Sequence, residues 1–309
     1  MPELPDIHVL IHCLGQKFAG RRLSGVRLHS PFVLRSLHPP LSAASGRRVR
    51  GFRRLGKRIV FELEGELFLV IHLMIAGRLQ LRGKKAKIPV RHGLCAFDFA
   101  EHTLVFTEAS KKKRASLYAV DGEEELMDHD RGGIDVHQAT LAEFTAALTW
   151  ENHTLKRALT DQRFLSGIGN AYSDEILHRA RLSPCALTQK MKSADMECLF
   201  RATVEVLDEW IERLGREASG GFLEKITAFR PEMAVHGKYR QPCPECGSKV
   251  QRIIHGERES NYCATCQTNG KLLADRALSR LMKKDWPKTL EELDTQRRDK
   301  RGPTPRVKH

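Results

Sequence analysis

Four cysteines in two pairs constrain this chain more than any other feature. Cys243-Pro-Glu-Cys246 and Cys263-Ala-Thr-Cys266 are both C-x2-C turns, and sixteen residues separate them. Two such turns can bring four thiolates to the corners of a tetrahedron, which is what structural zinc requires. The stretch between them carries Val250, Ile253 and Ile254 among Gly, Arg and Ser residues, a pattern suited to a two-stranded ribbon. A segment this small cannot build a core unaided. One structural Zn2+ held by Cys243, Cys246, Cys263 and Cys266 is therefore expected. Its shell would be closed, so the metal would do no chemistry and would serve to hold the ribbon rigid and present Arg258. Cys13, Cys95, Cys185 and Cys198 have no comparable partners and read as ordinary buried thiols.

Charge narrows the class of partner. Across 309 residues, 52 Lys and Arg stand against 38 Asp and Glu, a formal net charge of +14. Such a balance favours a polyanion, either nucleic acid or an acidic membrane surface. No run of about 18 apolar residues occurs, so no bilayer span is expected. The first residues lack a signal peptide's charged start and apolar middle, and cysteines without a secretory leader suit a reducing compartment. The length suggests about two domains.

The chain opens Met1-Pro2-Glu3-Leu4-Pro5-Asp6. Initiator Met is commonly removed before a small residue, which would leave Pro2 as a free secondary amine. Reference α-amines have a pKa of about 7.7–8.0, so roughly a tenth are unprotonated at pH 7, far more than for lysine. Such an amine can attack a sugar or carbonyl carbon, and its adduct is a charged iminium suited to elimination chemistry. Glu3 supplies a carboxylate one residue away.

Periodicity then sets the organisation. Leu4 to Leu14 reads as a short helix with Ile7, Leu10, Ile11 and Leu14 on one face; Pro5 suits its first turn and Asp6 complements its dipole. Residues 21–120 are strand-like. Ile59–Leu63 and Leu67–Leu73 flank Glu64-Gly65-Glu66 as one hairpin, and Leu94–Phe99 with Thr103–Phe106 form a second. Short strands with regular turn signals predict a sandwich or barrel. After a break at Asp130-Arg-Gly-Gly133, Thr140-Leu-Ala-Glu143 has capping-box spacing for a helix to about Glu151. Further helices are expected from Thr154 to Thr160 and, longer, around Met196–Leu214. Ser219–Pro231 reads as an irregular loop and Thr295–His309 as a disordered basic tail.

The segment Phe164-Leu-Ser-Gly-Ile-Gly-Asn-Ala-Tyr-Ser-Asp-Glu175 is a Gly-rich turn opening a helix. Such a turn offers backbone N–H groups to a phosphate, and Asn170 can add a side-chain donor.

Taken in order, these motifs resemble the formamidopyrimidine-DNA glycosylase/endonuclease VIII family of base-excision repair enzymes, from Pro2 to about Gln267. Pro2-Glu3-Leu4-Pro5 matches the family's amino terminus. Gly56-Lys57-Arg58 lies where the family carries a DNA-contacting lysine. Gly167-Ile-Gly-Asn170 matches its helix–two-turn–helix element, with Lys156 at the matching upstream position. Val235-His-Gly-Lys-Tyr-Arg-Gln-Pro-Cys243 resembles the entry to its zinc finger, and Arg258 sits where the finger's phosphate-binding arginine belongs.

The resemblance implies an α+β multidomain chain: an N-terminal β-sandwich with a short first helix (1–130), a helical helix–two-turn–helix domain (131–235), a zinc ribbon (236–270) and a C-terminal extension (271–309). It implies a bifunctional glycosylase and abasic-site lyase acting on oxidised bases. Pro2 would be the nucleophile and Glu3 the proton donor, with Asp6 and Lys57 in the catalytic group. Lys57, Lys156, Asn170 and Arg258 would hold phosphates, with DNA in a basic cleft. Duplex DNA carrying oxidised bases or abasic sites is the expected partner, with no membrane partner; the protein is expected to be a cytoplasmic, nucleoid-associated monomer.

Departures from the pattern are specific. Asp6 stands where the family usually has Glu. Its His-Leu-Gly-Met-Ser-Gly stretch is here His72-Leu-Met-Ile-Ala-Gly77, so the intercalating Met matches Ile75. The Arg-Phe-Gly segment that fills the gap left by the flipped base is absent, and Thr107-Glu-Ala-Ser-Lys-Lys-Lys-Arg-Ala115 stands nearby. Its basic run, 111–114, reads as a phosphate-contacting loop or as a solvated turn. A preference for oxidised pyrimidines, a non-catalytic zinc-ribbon lesion sensor, and RNA binding are the alternative readings.

Overall fold

The computed structural model describes residues 1–219, 221–224, 226–256, 258–274 and 276–299. It divides into two compact units, each assembled from separate stretches: residues 1–147, 161–169 and 204–228 in the first, and 148–160, 170–203 and 229 onward in the second. No described helix is long and apolar enough to cross a membrane.

The first unit is a β-sandwich with a helix packed on it. Helix α1 (Leu4–Phe18) precedes β1 (Gly25–Leu28), β2 (Val49–Leu55), β3 (Arg58–Leu63), β4 (Leu67–His72), β5 (Gly77–Gly83), β6 (Gly93–Asp98), β7 (His102–Glu108) and β8 (Ser116–Asp121). The strands pair antiparallel in two four-stranded sheets, ordered β1-β6-β7-β5 and β2-β3-β4-β8. Alternate residues of each strand enter one core. Ile59 and Phe61 of β3, Leu69 and Ile71 of β4, Cys95 and Phe97 of β6, and Leu104 and Phe106 of β7 meet there. Phe61 and Phe97 bring the sheets together at 5.2 Å between ring centroids. Both expected hairpins form, β3–β4 and β6–β7.

The first helix runs one turn past its expected end at Leu14. Cys13, Leu14 and Phe18 keep its apolar face in the core, and Phe18 stacks on Phe99 at 4.0 Å. A short helix, α2 (Glu123–Met127), was not expected; its Leu126 covers Val60, Phe68, Val70 and Val120 on the outer face of the second sheet. That second layer explains why β3 and β4 read as nearly unbroken apolar runs.

The remaining described helices are α3 (Leu141–Thr149), α4 (Leu155–Thr160), α5 (Asn170–Arg179), α6 (Ser193–Ala218), α7 (Ala264–Thr268), α8 (Arg276–Met282) and α9 (Leu290–Asp299). The capping box before α3 is reciprocal: Thr140 N–H donates to Glu143 Oε2 at 2.8 Å, and Glu143 N–H to Thr140 Oγ1 at 3.3 Å. The long helix α6 contributes Leu214 and Ala218 to the sandwich core. In the second unit β9 (Gln251–His255) and β10 (Arg258–Tyr262) form the expected antiparallel ribbon between the cysteine pairs.

Two expectations need correction. Of the four cysteines expected to be buried, Cys13 and Cys95 are, but Cys185 is exposed in the turn after α5 and Cys198 of α6 is half-buried. Helix α9 continues through Asp299, so 295–299 are helical; the rest of the expected disordered tail, 300–309, lies outside the described residues.

Phe61→Ala removes a fully buried ring packed between Phe52 and Phe97. The expected cost is about 3–5 kcal/mol, read from urea or thermal unfolding.

Candidate active site and zinc finger

In the first unit, three backbone contacts fix the amino terminus. Leu4 N–H donates to Gly167 O at 2.9 Å. Gly169 N–H donates to Glu3 Oε2 at 2.7 Å, and Glu3 N–H to Asp6 Oδ2 at 2.9 Å. Pro2, Glu3, Asp6 and Lys57 are all buried. Gly56, at φ +61°, makes the turn from β2 to β3 that delivers Lys57. A Cβ on Gly169 would lie 2.5 Å from the Glu3 carboxyl and 2.6 Å from Lys57 Nζ, so these groups converge on one point. At Gly167, φ +88°, a Cβ would meet Leu4 at 2.8 Å and Arg54 at 2.9 Å. The glycines are thus required by the close approach of the amino terminus, a reason distinct from the phosphate turn read in the sequence.

The terminal amine feels this setting. Its pKa, carried here by Met1, is lowered by burial; Glu3 and Asp6 pull it up, while Arg78 and Lys57 push it further down. Burial, then Arg58 and Lys57, also lower His72 to about 4, so this histidine at the end of β4 is neutral at pH 7.

A supporting network was missed from the sequence. Arg54 Nη1 donates to Ser166 Oγ and Gly56 O, both at 3.0 Å, and its other arm pairs with Asp135. Burial opposes ionisation of Asp135, but hydrogen bonds from His137 and the Arg54 guanidinium hold it at about 2. His137 reaches Asp208 through Nε2 at 2.9 Å. These residues are too widely separated in sequence to form a motif.

Two exposed features flank the sandwich. Ile75 is 62% exposed in the turn between β4 and β5, where Met74 adopts φ +53°. The basic run 111–114 wraps the buried Glu108: Arg114 N–H and Ala115 N–H donate to its carboxylate at 3.1 and 3.2 Å, and Lys113 Nζ to its carbonyl at 2.5 Å. The run is therefore an ordered loop that leaves Lys111, Lys112, Lys113 and Arg114 exposed.

The other expected residues lie in the second unit. Asn170 opens α5, and its Nδ2 donates to Glu259 O of β10 at 2.8 Å. Lys156 of α4 directs its ammonium to Asn170 O at 2.7 Å, Ser173 Oγ at 2.8 Å and Asp174 Oδ1 at 2.5 Å, three acceptors for three protons. Asp174 also accepts from His236 Nδ1 at 2.7 Å. Glu175 takes the N–H groups of Ala234, Val235 and His236 at 2.7–2.9 Å. Arg258 opens β10 opposite His255, and its side chain lies outside the described residues. Lys156, Asn170 and His236 all lie in motifs read from the sequence, whereas no role was expected for Asp174 and Glu175, one turn into α5.

The four finger cysteines converge, with their sulfurs all within 4.8 Å of one another. Cys246 Sγ is 3.4 Å from Cys263 Sγ, and Cys243 Sγ 3.9 Å from Cys266 Sγ. Tetrahedral zinc with Zn–S bonds of about 2.3 Å sets sulfurs about 3.8 Å apart, so the donor set fits the metal. Cys95, in contrast, is sealed in the sandwich core, where burial drives its thiol pKa up and keeps it inert. Elemental analysis should find one zinc per chain, and Cys263→Ser should lose it and unfold the ribbon, seen as exchange of the β9–β10 amides.

Three family models match successive stretches of the chain. Residues 1–114 match the formamidopyrimidine-DNA glycosylase N-terminal domain, 134–219 its H2TH domain, and 240–269 the zinc finger found in FPG and IleRS. A formamidopyrimidine-DNA glycosylase of Solibacter usitatus is 31% identical over 278 residues, covering 86% of this chain and 99% of the relative. One from Thermus thermophilus is 32% identical, covering 87% and 100%. The Lactococcus lactis Fpg in complex with abasic-site DNA superposes with a TM-score of 0.75 at 22% identity, covering 86% of this chain and 99% of that one. With three matching domains in order on one sandwich, helix and finger framework, the chain belongs to the formamidopyrimidine-DNA glycosylase family of DNA glycosylases.

Proposed function

We propose that the protein excises oxidised bases from duplex DNA and then cuts the strand as an abasic-site lyase, with Pro2 as nucleophile once Met1 is removed. The observation that carries this reading is geometric: Pro2 is buried beside Glu3, whose carboxyl converges with Lys57 Nζ on Gly169 while Asp6 holds its backbone N–H. The target nucleotide leaves the stack before its sugar carbon can be reached. Pro2 N bonds to C1′ as the glycosidic bond breaks and the base departs. Glu3 gives a proton to the ring oxygen, the ring opens, and an iminium forms. Loss of a C2′ proton then breaks the C3′–O bond, and a second elimination breaks the C5′–O bond. Asp6 holds the Glu3 backbone in place for these steps.

Phosphate grip falls to Lys57, Asn170 and Arg258. Lys156 supports the grip indirectly, by neutralising Asp174 and holding the first turn of α5. Oxidised purines are the first lesion class to test, since the relatives are formamidopyrimidine-DNA glycosylases by name. The missing Arg-Phe-Gly segment makes oxidised pyrimidines the second arm.

Borohydride should trap a covalent complex with abasic-site DNA, and protein shown by mass spectrometry to retain Met1 should not be trapped. Undiminished trapping of the Met1 form would move the nucleophile elsewhere. Glu3→Gln should suppress base removal more than cleavage of an existing abasic site. Absence of both cleavage and trapping across a lesion panel would instead favour a non-catalytic lesion sensor.

Salt dependence separates grip from chemistry. Arg258→Ala should lower the log–log salt slope of duplex binding by about one, because one phosphate contact is lost. Trapping at saturating protein and low salt should survive. An unchanged slope with lost chemistry would put Arg258 in the reaction itself.

A further inference from the structure

Helix α5 starts at Asn170, and its last turn reaches the metal-binding cysteines. His178 Nε2 lies 3.2 Å from Cys243 Sγ. Both residues are buried, at 6% and 2% exposure, so water does not compete for the contact. A zinc-bound thiolate carries no proton, and so the hydrogen between these atoms belongs to Nε2 and the imidazole donates. Four thiolates around one dication leave a formal charge of about −2, which donors to sulfur spread and stabilise. Within the finger, Cys266 N–H donates to Cys263 Sγ at 3.5 Å, and Ser248 donates to Cys246. His178 adds a donor to Cys243 from a helix outside the finger.

We propose that His178 is a positioning residue for the zinc, whose Nε2–H···Sγ bond to Cys243 stabilises the four-sulfur shell and fastens α5 to it. The bond is not the helix's sole attachment. Asn170 Nδ2 reaches β10, Glu175 caps 234–236, Asp174 holds His236, and Gln267 Nε2 donates to Leu182 O at 2.9 Å. Loss of the His178 donor therefore leaves α5 docked, and its effect falls on the metal.

The test begins with wild-type protein in which 113Cd replaces zinc and histidine is 15N-labelled. An imidazole N–H showing scalar coupling to the metal through sulfur is the expected result. A spectrum with metal-coupled backbone amides and no coupled imidazole overturns the proposal, and this arm needs no variant to fold. His178→Phe keeps a buried ring and removes the donor, whereas His178→Gln restores an N–H. Zinc transfer from His178→Phe to a chromogenic chelator should be about 10–100-fold faster than from wild type. In Co2+-substituted His178→Phe the sulfur-to-metal absorption should move to longer wavelength, and His178→Gln should recover both readouts in part. Faster release from both variants with an unshifted Co2+ spectrum would mean that His178 only packs, and would also overturn the proposal.

Discussion

The carboxylate of Glu3 sets the geometry on which the candidate active site depends. It accepts the N–H of Gly169, while its own backbone N–H is taken by Asp6. One residue thereby caps α1 and receives the Gly-rich turn, inside a space that admits no side chain at position 169. A buried N–H left without its acceptor costs about 1–3 kcal/mol, so a truncated residue 3 would disturb the turn as well as remove an acid. Gln keeps an oxygen for Gly169 and is the cleaner probe of proton transfer.

The sandwich core holds that arrangement steady. Pro2 and Glu3 directly precede α1, and α1 is buried through Ile7, Leu10, Leu14 and Phe18 against the same core that closes the two sheets. Lys57 is delivered by the adjacent β2–β3 turn, so Pro2, Glu3 and Lys57 all belong to one compact unit. Arg54 adds a brace: bonded to Ser166 and Asp135, it fixes the turn that presents Gly167 and Gly169.

Much of this was legible in the sequence, where local pattern and spacing decide the outcome. Alternation located the hairpins, the Thr140–Glu143 spacing located a helix start, and the cysteine pairs located the ribbon. Contacts between distant stretches were not legible. Nothing in Arg54, Asp135, His137 or Asp208 marks them as partners, and nothing marks His178 as a neighbour of Cys243. The glycines of Gly167-Ile-Gly169 were recognised, but for a local turn rather than for the approach of Leu4, Glu3 and Lys57. Helix α2 is only five residues long, too short for periodicity to register, yet it covers the outer face of β3 and β4.

Burial is distributed unevenly among these parts. Eight consecutive residues of α5, Ala171 to His178, are buried. A helix enclosed on every side has no solvent face on which substitutions can accumulate. Ile75 and the run 111–114 are in the opposite position: they project from turns whose backbones are held by other residues. Side chains at these two turns can therefore change without repacking the interior, whereas those of α5 cannot.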